Sequence, residues 1–190
     1  VKNRIIRTYK TVVGKPGLTA TPQLAEKVEA VVFNPTWTVP QSIIKREGLG
    51  AKFTANPALA RAQGYKVTVA DDGTVTLVQQ PGNHNSLGRL KIDMPNPHAI
   101  YLHDTPQKAL FDKPVRAYSH GCIRTERALE LGMTMAILGA GLDPNAAADI
   151  SRAGKYKRVT MTRTFPVYIT YFTIGVDING ALTKFADIYG

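Results

Sequence analysis

The chain has 190 residues, of which 44% are hydrophobic and 20% charged, and 24 Lys+Arg stand against 14 Asp+Glu for a net charge of +10. This composition supports a real core and excludes a disordered tail, a collagen-like repeat or a coiled coil; no apolar run reaches the roughly 18 residues that span a bilayer. The positive field attracts polyanions, but the basic residues are scattered, with neither an aromatic-interleaved RNA-binding pattern nor zinc-finger spacing, so nucleic acid is not expected as a partner.

In chain order, residues 1–13 alternate as an edge strand that closes at Gly14-Lys15-Pro16-Gly17. Helix formers over 23–30 predict a helix running into Val31-Val32-Phe33, which prefer a strand. Asn34-Pro35 and Val39-Pro40 bracket Trp37 in a stiff loop, and 42–47 reads as a short helix stopped by Gly48. The texture then changes. A helix over 57–63 and strands over 65–69 and 74–78, joined by the hairpin signal Asp71-Asp72-Gly73, make 47–80 a candidate inserted subdomain.

Strands follow at 89–93 and 99–103, separated by Pro95-Asn96-Pro97. Residues 125–138 form the strongest helix pattern, with Thr125 as its cap, Leu129, Met133, Ala136 and Ile137 as its apolar face, and Gly139 and Gly141 at its end. Asp143-Pro144 opens a second helix that ends near Gly154. Residues 158–162, 167–176 and 181–185 read as strands, so strands dominate and helices are few.

The chemistry concentrates in Ser119-His120-Gly121-Cys122-Ile123-Arg124. Cys122 is the single cysteine, which fits a cytosolic protein or an exported one that keeps its thiol for chemistry. A thiol attacks as thiolate, and at a pKa of about 8.5 only roughly 3% is ionised at pH 7. A position at the start of the 125–138 helix would favour the anion through the helix dipole. Gly121 permits a tight turn, and its N–H, with that of Cys122, suits a developing oxyanion.

A Cys nucleophile needs a base, and the candidates are His84, His98, His103 and His120. His103 ends an apolar strand run; His84 and His98 lie in Asn/Pro-rich loops. Asp104, Asp112 or a backbone carbonyl are candidates to orient the base. A zinc site built on His103, His120 and Cys122 is the rival chemistry, disfavoured because structural zinc takes four ligands in paired short spacings. Arg124, before the expected helix, opposes its dipole and so suits a substrate carboxylate. Trp37, Tyr101 and Tyr118 are candidates to line a cleft.

His103 followed, after the fifteen residues 104–118, by Ser119-His120-Gly121-Cys122 resembles the motif of L,D-transpeptidase catalytic domains of the YkuD type. Residues 33–43, 85–91 and 101–106 also resemble the larger Gram-negative subgroup typified by YcbB. The resemblance implies a mainly β, α+β fold, a β-sandwich of two mixed sheets over 1–190, with 47–80 as an inserted capping element. It implies Cys122 as nucleophile and His103 as base, oriented by the carbonyl of Asp104, with His120, Gly121 and Cys122 shaping the oxyanion pocket. Arg124, Ser119, Tyr118, Trp37 and Tyr101 are the expected substrate-binding residues.

The implied reaction releases D-Ala from a peptidoglycan tetrapeptide donor through a Cys thioester, and a diaminopimelate amine acceptor then gives a 3→3 cross-link. If water or another amine is the acceptor, the same site is an L,D-carboxypeptidase or a protein-anchoring enzyme; a non-catalytic wall-binding module is the remaining alternative. Carbapenems are expected to acylate the same thiol, other cell-wall enzymes to recruit the protein, and no cofactor or metal to be needed. The expected location is the periplasm of a Gram-negative bacterium. No signal segment is visible in residues 1–13, and a signal or anchor is expected outside this chain.

Overall fold

Alternation decides the first long element. Residues 24–33 are rich in helix formers, yet Val28 and Ala30 are buried while Lys27 and Glu29 are exposed, a period of two. They form strand β2 (Leu24–Phe33), not the expected helix, because both its edges are paired, by β10 (Lys157–Ile169) and β6 (Leu90–Asp93), each antiparallel. Tertiary pairing of a half-buried face outweighs local helix propensity here.

The computed structural model describes residues 5–177 and 179–190. Residues 1–4 of the expected first strand lie outside them, and β1 is shorter, Thr11–Gly14. With β7 (Leu102–His103), β8 (Ala117–Ser119) and β9 (Ile123–Thr125), the strands form a seven-stranded mixed sheet in the order β10-β2-β6-β7-β9-β1-β8. The pairs β7/β9 and β1/β8 are parallel, the others antiparallel. The molecule is mostly β with a few helices, as expected. The strands expected over 158–162 and 167–176 are redrawn as the single long β10, and β11 (Ile174–Val176) pairs with β12 (Leu182–Lys184) as a separate hairpin.

Helix α4 (Ala128–Ala140) lies against this sheet. Its buried stripe is Ala128, Gly132, Ala136 and Gly139, small residues that bring its backbone close to the sheet, while Leu129 and Met133 pack at the sides. A Cβ on Gly132 would lie 2.5 Å from Leu90, and one on Gly139 would lie 2.6 Å from Met161. The helix starts at Ala128, not Thr125, because Ile123–Thr125 is claimed by strand pairing with β7 and β1; Arg127, at φ +48°, makes the turn between them. Helix α5 (Pro144–Arg152) follows, its first turn capped by Asp143 Oδ1 on the N–H groups of Asn145 and Ala146.

A second core lies apart from the first. Val39, Ile44, Phe53, Ala60 and Leu77 are its buried residues. It is built by helices α1 (Gln41–Arg46), α2 (Leu49–Ala55) and α3 (Pro57–Ala62), and by the antiparallel sheet β3-β5-β4 (Trp37–Thr38, Val75–Gln79, Tyr65–Val69). Phe53 and Tyr65 stack with ring centroids 4.7 Å apart. Helix α2 is not among the elements expected from the sequence. Buried Asn85 ties the two chain crossings between the cores: its amide donates to the carbonyls of Pro35 (2.9 Å) and Gln80 (3.0 Å) and accepts from Leu87 N–H (2.8 Å).

Candidate active site

The parallel pair β7/β9 sets the geometry. Leu102 pairs with Ile123 and His103 with Arg124, so Tyr101, His103, Cys122 and Arg124 share one face of the sheet. Ile123, on the other face, is buried, and Leu102 packs against the main core. All four site residues line one cleft of about 980 Å³ between the sheet and the second core, whose far wall includes Trp37, Ile43 and Tyr65.

His103 is buried, and its Nδ1 lies 2.5 Å from the carbonyl oxygen of Asp104. A carbonyl only accepts, so Nδ1 carries the proton and Nε2 is the basic nitrogen. Burial pulls the imidazole down to a pKa of about 4; the Asp104 carbonyl resists this, while Arg124 and Lys91 add to it. Both cations follow from register, since Lys91 on β6 and Arg124 on β9 flank His103 on either side. The ring is therefore a neutral base at pH 7. The Asp104 side chain is engaged elsewhere, accepting from Arg89 N–H at 3.0 Å and pairing with Lys108.

Cys122 does not sit at a helix N-terminus. It precedes β9, with Glu126 and Arg127 still to come before α4, so the expected helix dipole does not act on the thiol. Burial pushes its pKa up, against lowering contributions from Tyr101, Lys91 and Arg124. Its Sγ donates to the carbonyl of Ala99 at 3.7 Å, and no hydrogen bond joins it to His103, which lies across the diagonal of the strand pair. Ala99 sits at φ +52° in a turn held by Asn96.

The Ser119-His120-Gly121-Cys122 loop is closed by its own serine. Ser119 Oγ donates to Cys122 O (2.6 Å) and accepts from Gly121 N–H (3.1 Å). That commits the Gly121 N–H, one of the two amides expected to meet an oxyanion; the Cys122 N–H has no partner among the described residues. Gly121 is at φ +118°, and a Cβ there would meet Ile100 at 3.2 Å, so the position requires glycine. Its carbonyl accepts from Thr21 Oγ, which docks the loop on the turn between β1 and β2.

The remaining expected residues separate. Ser119, His120 and Trp37 line the cleft. Tyr118 is exposed between buried Ala117 and Ser119, on the outer face of β8, and is not part of the cleft wall. Arg124, in a strand and not before a helix, donates to Gln107 Oε1 at 2.6 Å. Of the other histidines, His84 and His98 also reach the cleft wall. Lys91 and Glu47 were missed. The alternation of β6 is the signal that would have found Lys91; nothing in the sequence singles out Glu47, which follows α1 as its C-terminal cap and lies with Oε1 3.2 Å from His120 Nε2.

Among the described residues no group of three His, Cys, Asp or Glu is placed to hold a metal, and no helix is long and apolar enough to cross a membrane. Residues 1–135 match the family model YkuD, described as the L,D-transpeptidase catalytic domain. A Haemophilus influenzae protein named "Putative L,D-transpeptidase" is 30% identical over 185 residues, a match that covers 90% of this chain and 37% of the relative's length. On the family match over most of its length, the chain belongs to the L,D-transpeptidase catalytic-domain family.

Proposed function

We propose that this chain carries the catalytic site of a periplasmic peptidoglycan L,D-transpeptidase of the YcbB-type Gram-negative subgroup, forming 3→3 cross-links through a thioester on Cys122. The observation that carries the reading is the placement of Tyr101, His103, Cys122 and Arg124 on one sheet face in one cleft, with the His103 tautomer fixed by a carbonyl. Residues 47–80 are the capping element of this proposal; a core separate from the main one, to which Phe53, Ala60 and Leu77 contribute together with Val39 and Ile44, supports it.

The half-buried thiol, its pKa raised, and the neutral imidazole make a pair that is uncharged at rest. Rotation of Cys122 about Cα–Cβ takes Sγ from the Ala99 carbonyl towards His103. Proton transfer to Nε2 then accompanies attack of sulfur on the carbonyl carbon of the donor's third residue, meso-diaminopimelate. The developing oxyanion is met by the free Cys122 N–H in the field of Lys91 and Arg124. Collapse breaks the C–N bond, and the departing D-Ala amine takes the proton from His103. The thioester then passes to the side-chain amine of a second diaminopimelate. A carbapenem carbonyl offers the thiol the same electrophile.

The test is mass spectrometry of products from a purified disaccharide-tetrapeptide, with Cys122→Ala as control. A dimer that has lost one D-Ala, formed only by the unsubstituted protein, is the expected result. A tripeptide monomer alone would make the enzyme an L,D-carboxypeptidase, and activity that survives in Cys122→Ala would overturn the assignment of the nucleophile.

A further inference from the structure

The charges that line the cleft are uneven. Arg46, Lys91 and Arg124 are its cations, and Glu47 is its one carboxylate among the described residues. Cations suit a donor stem, whose peptide ends in carboxylate. They oppose the second half of the proposed reaction, in which an ammonium must come to the thioester. Glu47 stands opposite the nucleophile loop, on the far wall, in contact with His120, two residues before Cys122. Its side chain is 44% exposed, and no lysine or arginine among the described residues pairs with it within 4.0 Å.

The contact with His120 does not neutralise it. Burial, with Arg46, Lys15 and Arg124, holds the His120 imidazole below its ordinary pKa against the pull of Glu47, which favours the neutral ring at pH 7. A carboxylate without a lysine or arginine partner among the described residues, in an otherwise cationic cleft, attracts a primary ammonium.

We propose that Glu47 is the residue that selects an amine acceptor over water, by holding the ammonium of the acceptor stem beside the thioester; this rests on the transpeptidase reading above. The bound R–NH3+ gives one proton to solvent at the cleft mouth. The lone pair of R–NH2 then forms the C–N bond while the C–S bond breaks, and the electron pair goes to Sγ. The second amine proton moves through His103 to the sulfur and restores the thiol. Glu47 takes no part in acylation, which meets only the donor.

The experiment separates the two half-reactions in Glu47→Gln. Cys122 acylation by the disaccharide-tetrapeptide is followed by intact-protein mass, and dimer against tripeptide product is measured while the concentration of a meso-diaminopimelate-containing acceptor stem is varied. The expected result is acylation within about twofold of the unsubstituted protein and an acceptor KM raised roughly tenfold, with products shifted towards tripeptide by a similar factor, as loss of one charge-assisted contact implies. Glu47→Asp should recover part of the dimer, and raised salt should reproduce part of the loss. An unchanged product ratio in Glu47→Gln would overturn the inference. So would a parallel fall in acylation and dimer, which marks Glu47 as a clasp that only positions the cap. Absence of a thioester on the unsubstituted protein would instead overturn the transpeptidase reading on which it rests.

Discussion

The Nδ1 of His103 lies 2.5 Å from the carbonyl oxygen of Asp104, the residue that follows it, so the ring is oriented by its own chain and not by a carboxylate. A backbone carbonyl cannot be removed by substituting a side chain. Asp104→Asn therefore keeps the His103 tautomer and should leave Cys122 acylation within a few-fold. Its cost falls on stability, because a buried acceptor of Arg89 N–H and partner of Lys108 is weakened. His103→Gln removes the base and should lower the acylation rate by about 10²–10⁴-fold. Acylation followed by mass spectrometry and melting measured in parallel would distinguish the two; equal losses for both variants would show that the Asp104 carboxylate acts on the chemistry.

The His103 shift has a definite sign in acid. Its folded pKa, about 4, lies below the ordinary 6.5, so between these values the unfolded chain binds more protons than the folded one. Stability therefore rises with pH across this window, and it falls as pH drops from about 6.5 towards 4, by of order 3 kcal/mol at most from this residue. His103→Gln should flatten that part of the stability profile measured by denaturant titration. The same window should leave acylation by a carbapenem largely intact above pH 5, since the base is protonated only near pH 4.

Burial raises the thiol pKa of Cys122, and no helix terminus opposes it. Alkylation of Cys122 by iodoacetamide at pH 7 should be slower than that of a free thiol and should rise steeply as pH increases, because only the thiolate reacts. Alkylation faster than that of a free thiol at neutral pH would mean that the resting pair is ionic.

Much of the site was legible in the chain because it is local. His103 and the Ser119–Cys122 run lie within twenty residues, and Gly121 and Ser119 have roles set by the turn they make. What failed was non-local. Residues 23–30 read as helix because their pairing partners, Lys157–Ile169, lie more than a hundred residues away. Thr125 read as a helix cap because its strand partners, Thr11 and the β7 region, cannot be seen from its neighbours. Tyr118 looked like a cleft residue by proximity to the motif, but one position along a strand reverses the face. Glu47 and Cys122 are brought to one cleft only by the folding of the second core over the sheet.

The close approach of α4 to the sheet makes Gly139 sensitive. A Cβ there would lie 2.8 Å from the carbonyl of Arg163 and 2.6 Å from Met161 Sδ, and the backbone atom cannot yield like a side-chain tip. Overpacking of about 1–3 kcal/mol should exceed the gain of up to about 1 kcal/mol from replacing glycine in a helix. Gly139→Ala should thus be destabilising in chemical denaturation, while Leu138→Ala, at a position 63% exposed, should change little.

Asn85 offers the clearest separation of the two cores. The residue is 1% exposed, and its side chain joins Pro35 and Gln80, the two stretches of chain by which residues 37–79 leave and rejoin the sheet. Asn85→Ala strips the carbonyls of Pro35 and Gln80 and the N–H of Leu87 of their partner at once. Each buried group left unmatched costs roughly 1–3 kcal/mol, less where water enters, so a loss of about 2–4 kcal/mol is expected. The effect should be local. Amide exchange over 37–79 should accelerate while that of α4 and β2 is little changed, because the second core keeps its own packing but loses its fixed seat. Uniform acceleration across both cores would show that they unfold as one unit and that Asn85 does not seat one on the other.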